Sequence, residues 1–199
     1  MLATSTPLSA VATLTTNVAV RRAATAACYD ECATLCITAR STPYNNFLAN
    51  LNQQPNKNEW AQALAKRDNA KNVKHALLLA KDDTDATDAA RTTPQSTETR
   101  AAAAAVDGRD ALPLLGCVEL GMLPPPPTRP GADVVYVANV VTAEAARRRG
   151  VARRLLEEAE ALVFDEWGFG EVYCKVARDN IPARRLYDQL GFRPIFVQQ

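Results

Sequence analysis

The chain has 199 residues, of which 47% are hydrophobic and 23% charged, the balance of a globular protein with a real core rather than a disordered chain. Its formal net charge of +1 excludes a surface that is basic throughout, as coating nucleic acid would require, and leaves only local basic patches open. No run of about 18 apolar residues occurs, so nothing in the sequence reads as a membrane span.

The first 29 residues contain no Asp or Glu, and residues 1–16 are rich in Ser and Thr. That is the composition of a short transit segment or of a plain disordered N-terminus. Residues 18–22, within NVAVRRA, alternate as a strand does, so the folded domain is expected over 17–199. Residues 26–39 carry helical apolar spacing, and Cys28, Cys32 and Cys36 at i, i+4 and i+8 share one face. A metal cluster would need further ligands, yet the single histidine, His75, is distant and no C-x-x-C pair exists; three small residues facing a core is the better reading, and no metal is expected. Cys117 and Cys174 lie in strand-like runs and read as core. An odd cysteine count without an apolar signal core does not suit a secreted disulfide scaffold.

Residues 44–54 are amide-rich and undecided, 59–68 predict a second helix, and 75–80 (HALLLA) predict a short strand. From 81 to 105 there is no Leu, Ile, Val or Phe, so ordering that segment would bury too little to offset its entropy; a disordered insertion is expected over 81–110. Residues 114–120 resume as a strand. The prolines of the following MLPPPPTRPG lack N–H donors and exclude a sheet interior, so it is a loop, either a stiff connector or a docking ligand for a proline-binding domain. Residues 133–141 (DVVYVANVV) predict a β-branched strand, 151–167 an amphipathic helix ended by Gly168 and Gly170, and 171–177 a strand. A short helix over 181–190, capped by Gly191, and a last strand over 193–197 complete an α/β alternation.

The turn that opens the long helix breaks a rule. Helix starts favour acids, because their unpaired N–H groups carry partial positive charge. Here Arg147, Arg148, Arg149, Arg153 and Arg154 crowd the start, and Glu157, Glu158 and Glu160 come only afterwards. Convergent N–H groups behind a Gly-containing turn bind phosphates, and with a diphosphate present the arginines and the helix act in the same direction. Gly150 permits close approach or a positive φ, and small Ala152 leaves room. The triple arginine also fits a solvated basic patch, and Arg-x-x-Gly-x-Ala by itself is a weak signal. The turn is not a GxxxxGK loop, which disfavours nucleotide hydrolysis.

Residues 134–192 resemble the GNAT superfamily of acyl-CoA N-acyltransferases. Arg147, Gly150 and Ala152 meet the family's Gln/Arg-x-x-Gly-x-Gly/Ala signature. Asn180, Ala183, Leu186, Tyr187, Gly191 and Phe192 meet a second element, Asn-x-x-Ala-x-x-Leu-Tyr-x-x-x-Gly-Phe. The YVANVV strand, the proline loop and the N-terminal composition resemble the plastid branch, whose members acetylate lysines and protein N-termini; Thr142, Glu144 and the long insertion depart from it. The resemblance implies a GNAT fold: a mixed, mostly antiparallel sheet of six to seven strands flanked by about four helices. It implies acetyl-CoA as cosubstrate, and a plastid or else a cytoplasmic location.

It further implies direct attack of a neutral amine on the thioester. The N–H groups and side chains of Arg147, Arg148, Arg149, Gly150, Val151, Ala152 and Arg153 would hold the diphosphate. The N–H of Val140 would meet the developing oxyanion, while Val141 and Thr142 pair with the pantetheine arm. Asn180 would hold that arm, and Tyr187 would also contact the coenzyme and act as general acid. Glu119 and Tyr136 are candidates for accepting the amine's proton, without an assignment. At pH 7.4 a lysine with pKa ~10.4 is roughly one part in a thousand neutral and an α-amine at ~8 about a fifth, a gap of about 3 kcal/mol favouring N-termini. The resemblance implies a protein or peptide amine as the partner, and neither a membrane nor nucleic acid is expected. The alternatives are a small-molecule acetyltransferase for polyamines or amino acids, a silent CoA-binding domain, and an RNA-binding module built on the arginines.

Overall fold

Seven strands form one sheet in the order β2-β3-β4-β5-β6-β1-β7 in the computed structural model, which describes residues 1–4, 18–40, 56–68, 74–82, 112–126 and 130–195. The elements are β1 (Leu2–Thr4), β2 (Val18–Arg22), α1 (Ala26–Arg40), α2 (Lys57–Asp68), β3 (His75–Asp82), β4 (Leu114–Leu123), β5 (Val134–Thr142), α3 (Val151–Ala161), β6 (Val172–Cys174), α4 (Ile181–Gln189) and β7 (Arg193–Pro194). A 3-10 turn (Glu144–Ala146) precedes α3, and a π-helical turn (Leu162–Glu166) extends it. Every pairing is antiparallel except β5 with β6. The expected mixed, mostly antiparallel sheet with four helices is what forms.

Period-2 alternation divides the apolar side chains between two cores. On one face Ala76, Leu78 and Ala80 of β3, Val118 and Leu120 of β4, and Val135 and Val137 of β5 pack under Val151, Leu155, Leu156 and Ala159 of α3. On the other, Leu77, Leu79, Cys117 and Val141 meet Cys28, Cys32 and Cys36 of α1 and Trp60 and Leu64 of α2. The cysteine face is thus a buried packing face. Cys36 Sγ lies 3.8 Å from Cys117 Sγ, and all five cysteines are free thiols.

Two expectations need correcting. The segment expected to be disordered over 1–16 begins with a strand: Leu2 to Thr4 pair with both β6 and β7, and Leu2 is buried in that slot. Its polar neighbours hide a strand only three residues long, and the slot exists only once both neighbouring strands are in place. Residues 5–17 lie outside the described residues. The expected insertion likewise starts too early, because Lys81 and Asp82 belong to β3. Lys81 is only 2% exposed, and its Nζ reaches Glu31 Oε2 of α1 at 2.7 Å. A paired lysine continues the buried strand where an unpaired one would have ended it. Residues 83–111, and the undecided segment 44–54, lie outside the described residues. Among the described residues, no helix is long and apolar enough to cross a membrane.

Candidate active site

The sheet splits between its two parallel strands. β5 and β6 pair over Val135↔Val172, Tyr136↔Tyr173 and Val137↔Cys174, and there the ladder ends. The strand expected over 171–177 is accordingly only three residues long, because beyond Cys174 it has no partner. β5 itself continues to Thr142 on β4 alone. The result is a wedge whose β5 wall comprises residues 138–142, including Val140, Val141 and Thr142.

That wall carries a bulge. Cys117↔Val141 and Glu119↔Ala138 are successive pairs, so Val118 of β4 faces two residues of β5, Asn139 and Val140. The extra residue reverses the alternation: Val135 and Val137 point under α3, whereas Val141 points to α1. Asn139 takes φ +47°, in the left-handed region. Val140 has no ladder partner on either neighbouring strand.

The same end of the sheet holds the Arg-Gly turn. Arg148 has φ +66° and Gly150, the N-cap of α3, has φ +81° and ψ 2°. No side chain caps this helix, and its first turn has no acid. The first intrahelical bond runs from Arg154 N–H to Gly150 O at 3.0 Å, so the N–H groups of Val151, Ala152 and Arg153 precede any helical acceptor. The arginines divide into two kinds. Arg149 Nη2 reaches Asp82 Oδ2 at 3.2 Å, Arg153 binds Gln189 and Glu157, and Arg154 binds Glu158 at 2.6 Å. Arg147 and Arg148 are exposed and make no ion pair with a described residue. An uncapped helix start with two arginines outside ion pairs suits a diphosphate, so the residues present fit such a group.

Gly116 of β4 fixes how closely α3 approaches this end. A Cβ there would lie 2.7 Å from Val141 O, 3.0 Å from Val151 Cγ1 and 3.1 Å from Leu155 Cδ1. Only glycine lets the helix start sit against the strand.

Across the wedge, Tyr187 of α4 is buried, with its ring edge-on to Phe192 at 5.2 Å between centroids. Burial, and then the potential charge of Cys174, push its hydroxyl well above the ordinary tyrosine range. Tyr187 and Cys174, the last residue of β6, share one buried cluster. Burial pushes the Cys174 thiol itself up to about 12. Both groups are neutral at physiological pH. Asn180 caps α4 through Oδ1, which accepts from Ala183 N–H at 3.2 Å. Capping orients this helix and so aims Tyr187.

A polar cluster on the α1–α2 face of the sheet was only partly foreseen. Glu119 is there, but of the residues that surround it the sequence singles out neither Arg67 nor Asn139, and offers His75 only as a distant metal ligand. The asparagine did leave a signal, since Asn is a poor strand residue standing amid β-branched ones. Tyr136, the other candidate proton acceptor, pairs with Gly121 further down β5. Its hydroxyl donates to Pro124 O at 3.4 Å, and burial raises its pKa.

Comparison with known proteins now bears on the site. Residues 73–192 match the family described as Acetyltransferase (GNAT) family, which is more than half of the chain. Among curated proteins, the chain is 38% identical over 66 residues to "GCN5-related N-acetyltransferase 4, chloroplastic" of Arabidopsis thaliana, covering 33% of this chain and 22% of that protein. It is 32% identical over 62 residues to an "N-alpha-acetyltransferase" of Saccharolobus solfataricus, covering 31% and 37% of the two chains. The matched segment therefore spans well under two thirds of these relatives. Among solved structures, a tetramutant of the BH1408 protein from Bacillus halodurans has a TM-score of 0.61 at 16% identity, covering 91% of this chain and 97% of that one, a likeness of fold. With the Arg-Gly turn, the wedge and the Asn-to-Phe element all inside the matched region, the chain belongs to the acetyltransferase (GNAT) family.

Proposed function

We propose that the protein is an acetyl-CoA-dependent N-acetyltransferase acting on protein or peptide amines, the N-terminal α-amine ahead of the lysine ε-amine, by direct attack in a ternary complex. The reading is supported by the Arg-Gly turn following the β5–β6 split at one end of the sheet, and by the bond from Arg153 to Gln189 that ties the start of α3 to α4, the helix carrying Tyr187. Arg147 and Arg148 supply side-chain charge to the coenzyme diphosphate, while Arg149 and Arg153, already paired, contribute with Gly150, Val151 and Ala152 through the backbone. Val141 and Thr142 present the open strand edge to the pantetheine arm, and Asn180 bounds it from the start of α4.

The bulge at Asn139 supports Val140 N–H as the donor that meets the developing oxyanion. Tyr187 hands its proton to the departing thiolate. Its raised pKa keeps it protonated at every physiological pH, and neutral Cys174 in the same cluster adds no repulsion. The preference for α-amines rests on their larger neutral fraction and on the similarity to a relative named N-alpha-acetyltransferase. A plastid location is supported by the chloroplastic names of two relatives, the second 37% identical over 57 residues.

The test is to incubate the full chain with acetyl-CoA, a mixed peptide library and a polyamine, and to map acetyl groups by mass spectrometry. Acetylated peptide N-termini are expected. Transfer to the polyamine alone would replace the protein substrate with a small amine. No transfer, and no heat of binding when acetyl-CoA is titrated into the protein, would overturn the acetyltransferase reading.

A further inference from the structure

Four polar side chains from four elements converge where β5 bulges. Glu119 of β4 is 7% exposed. Its Oε1 accepts from Arg67 Nε of α2 at 2.8 Å and lies 2.9 Å from Nε2 of His75 on β3. Its Oε2 accepts from Nδ2 of Asn139 on β5 at 2.6 Å. Burial pushes the carboxyl up, but the hydrogen bond from His75, the charge of Arg67 and the bond from Asn139 outweigh it and hold it below the usual carboxylate range. An ionised carboxylate only accepts, so His75 Nε2 carries a proton and donates. A carboxylate holding three donors is a poor proton acceptor, which removes Glu119 from the candidates for deprotonating the amine.

The residue at the far end of this chain is the one in an unfavourable conformation. A non-glycine residue at φ +47° is strained, and asparagine bears it better than most. Without a hold on its side chain, Asn139 could relax toward ordinary strand geometry and draw Val140 back into the ladder with β4. The bond from Asn139 to Glu119 opposes that relaxation, and the bonds from His75 and Arg67 keep Glu119 from swinging away. We propose that Glu119, braced by His75 and Arg67, is a positioning residue that locks the bulge through Asn139 and so sets where Val140 N–H points in the wedge. This rests on the acetyltransferase reading, in which that N–H serves the thioester oxygen.

The experiment uses acetyl-CoA carrying carbon-13 at the carbonyl, followed by infrared difference spectroscopy on the full chain, with turnover and coenzyme affinity measured alongside. A hydrogen bond lowers the carbonyl stretch, so binding to the unaltered protein shifts the band downward. Asn139→Asp keeps the size and the tolerance for positive φ but sets a carboxylate against Glu119. Asn139→Ala removes the donor without a clash, keeps the strain that drives the relaxation, and gives a second chance of a folded variant. Each is expected to lose the band shift and to lower kcat by about ten- to a hundredfold, less than deleting an oxyanion donor outright, with acetyl-CoA affinity retained. The double variant Glu119→Gln with Asn139→Asp restores an amide-to-carboxylate bond in the opposite sense and recovers both signals. A downward band shift as large as in the unaltered protein, with unchanged kcat, in both single variants would overturn the lock, as would affinity falling in step with kcat, the mark of mere structural damage. Absence of acetyl-CoA binding by the unaltered protein would instead overturn the reading on which the lock rests.

Discussion

Replacing Gly116 with alanine tests whether the closeness of α3 to the sheet is built on one missing side chain. The added Cβ would sit 2.7 Å from Val141 O, a backbone atom that cannot rotate away, and within 3.0 and 3.1 Å of Val151 and Leu155 on α3. Overpacking of this kind costs about 1–3 kcal/mol. Alanine recovers roughly 0.5–1 kcal/mol of the backbone entropy that glycine loses in a strand. The net loss is then roughly 0–2.5 kcal/mol, equivalent to a Tm lower by up to about 10 °C for a chain of this size. Relief of the clash moves either Val141, in the wall of the wedge, or Val151, the first residue of α3. Acetyl-CoA affinity therefore falls by more than the modest stability change suggests. Thermal unfolding and calorimetric titration of Gly116→Ala check both parts. A Tm equal to or above that of the unaltered protein, with unchanged affinity, would refute the packing argument.

Two further outcomes follow from buried titrating groups. Tyr187→Phe keeps the edge-on contact with Phe192 but removes the hydroxyl proposed as proton donor, so kcat is expected to fall by about ten- to a hundredfold while acetyl-CoA affinity and Tm hold; an unchanged rate excludes Tyr187 from the chemistry. Cys174 is neutral in the fold up to about 12, against an ordinary thiol value near 9. Its contribution is fully present below pH 9 and is lost as pH rises from 9 toward 12, at about 1.4 kcal/mol per unit. Urea unfolding of the unaltered protein and of Cys174→Ala should therefore converge as pH rises from 9 to 10.5, and parallel curves would contradict the burial argument.

Much of the site was legible because it is local. The Arg-Gly turn announces itself by charge where the helix start disfavours charge, and the Asn-to-Phe element spans thirteen residues of one helix and its ends. The six strands from β2 onward and all four helices were also readable, since each carries its own periodicity. Their ends were less so: the strand expected over 171–177 stops at Cys174, and the one expected over 193–197 is described only as Arg193–Pro194. Both depend on a neighbouring strand, which periodicity does not report.

The amino-acid order by itself determined the four helices and the strands from β2 onward, that a cationic turn feeds the long helix, and that a tyrosine stands near the end of the next one. Folding decided the rest. Only the assembled sheet parts β5 from β6 after Cys174, inserts β1 between β6 and β7, and brings Arg67, His75, Glu119 and Asn139 to one point. These residues are spread over 73 positions of the chain, from Arg67 to Asn139, and a polar residue buried without company would be costly. The sequence therefore reads as four unrelated polar side chains until the sheet supplies each with the others as partners.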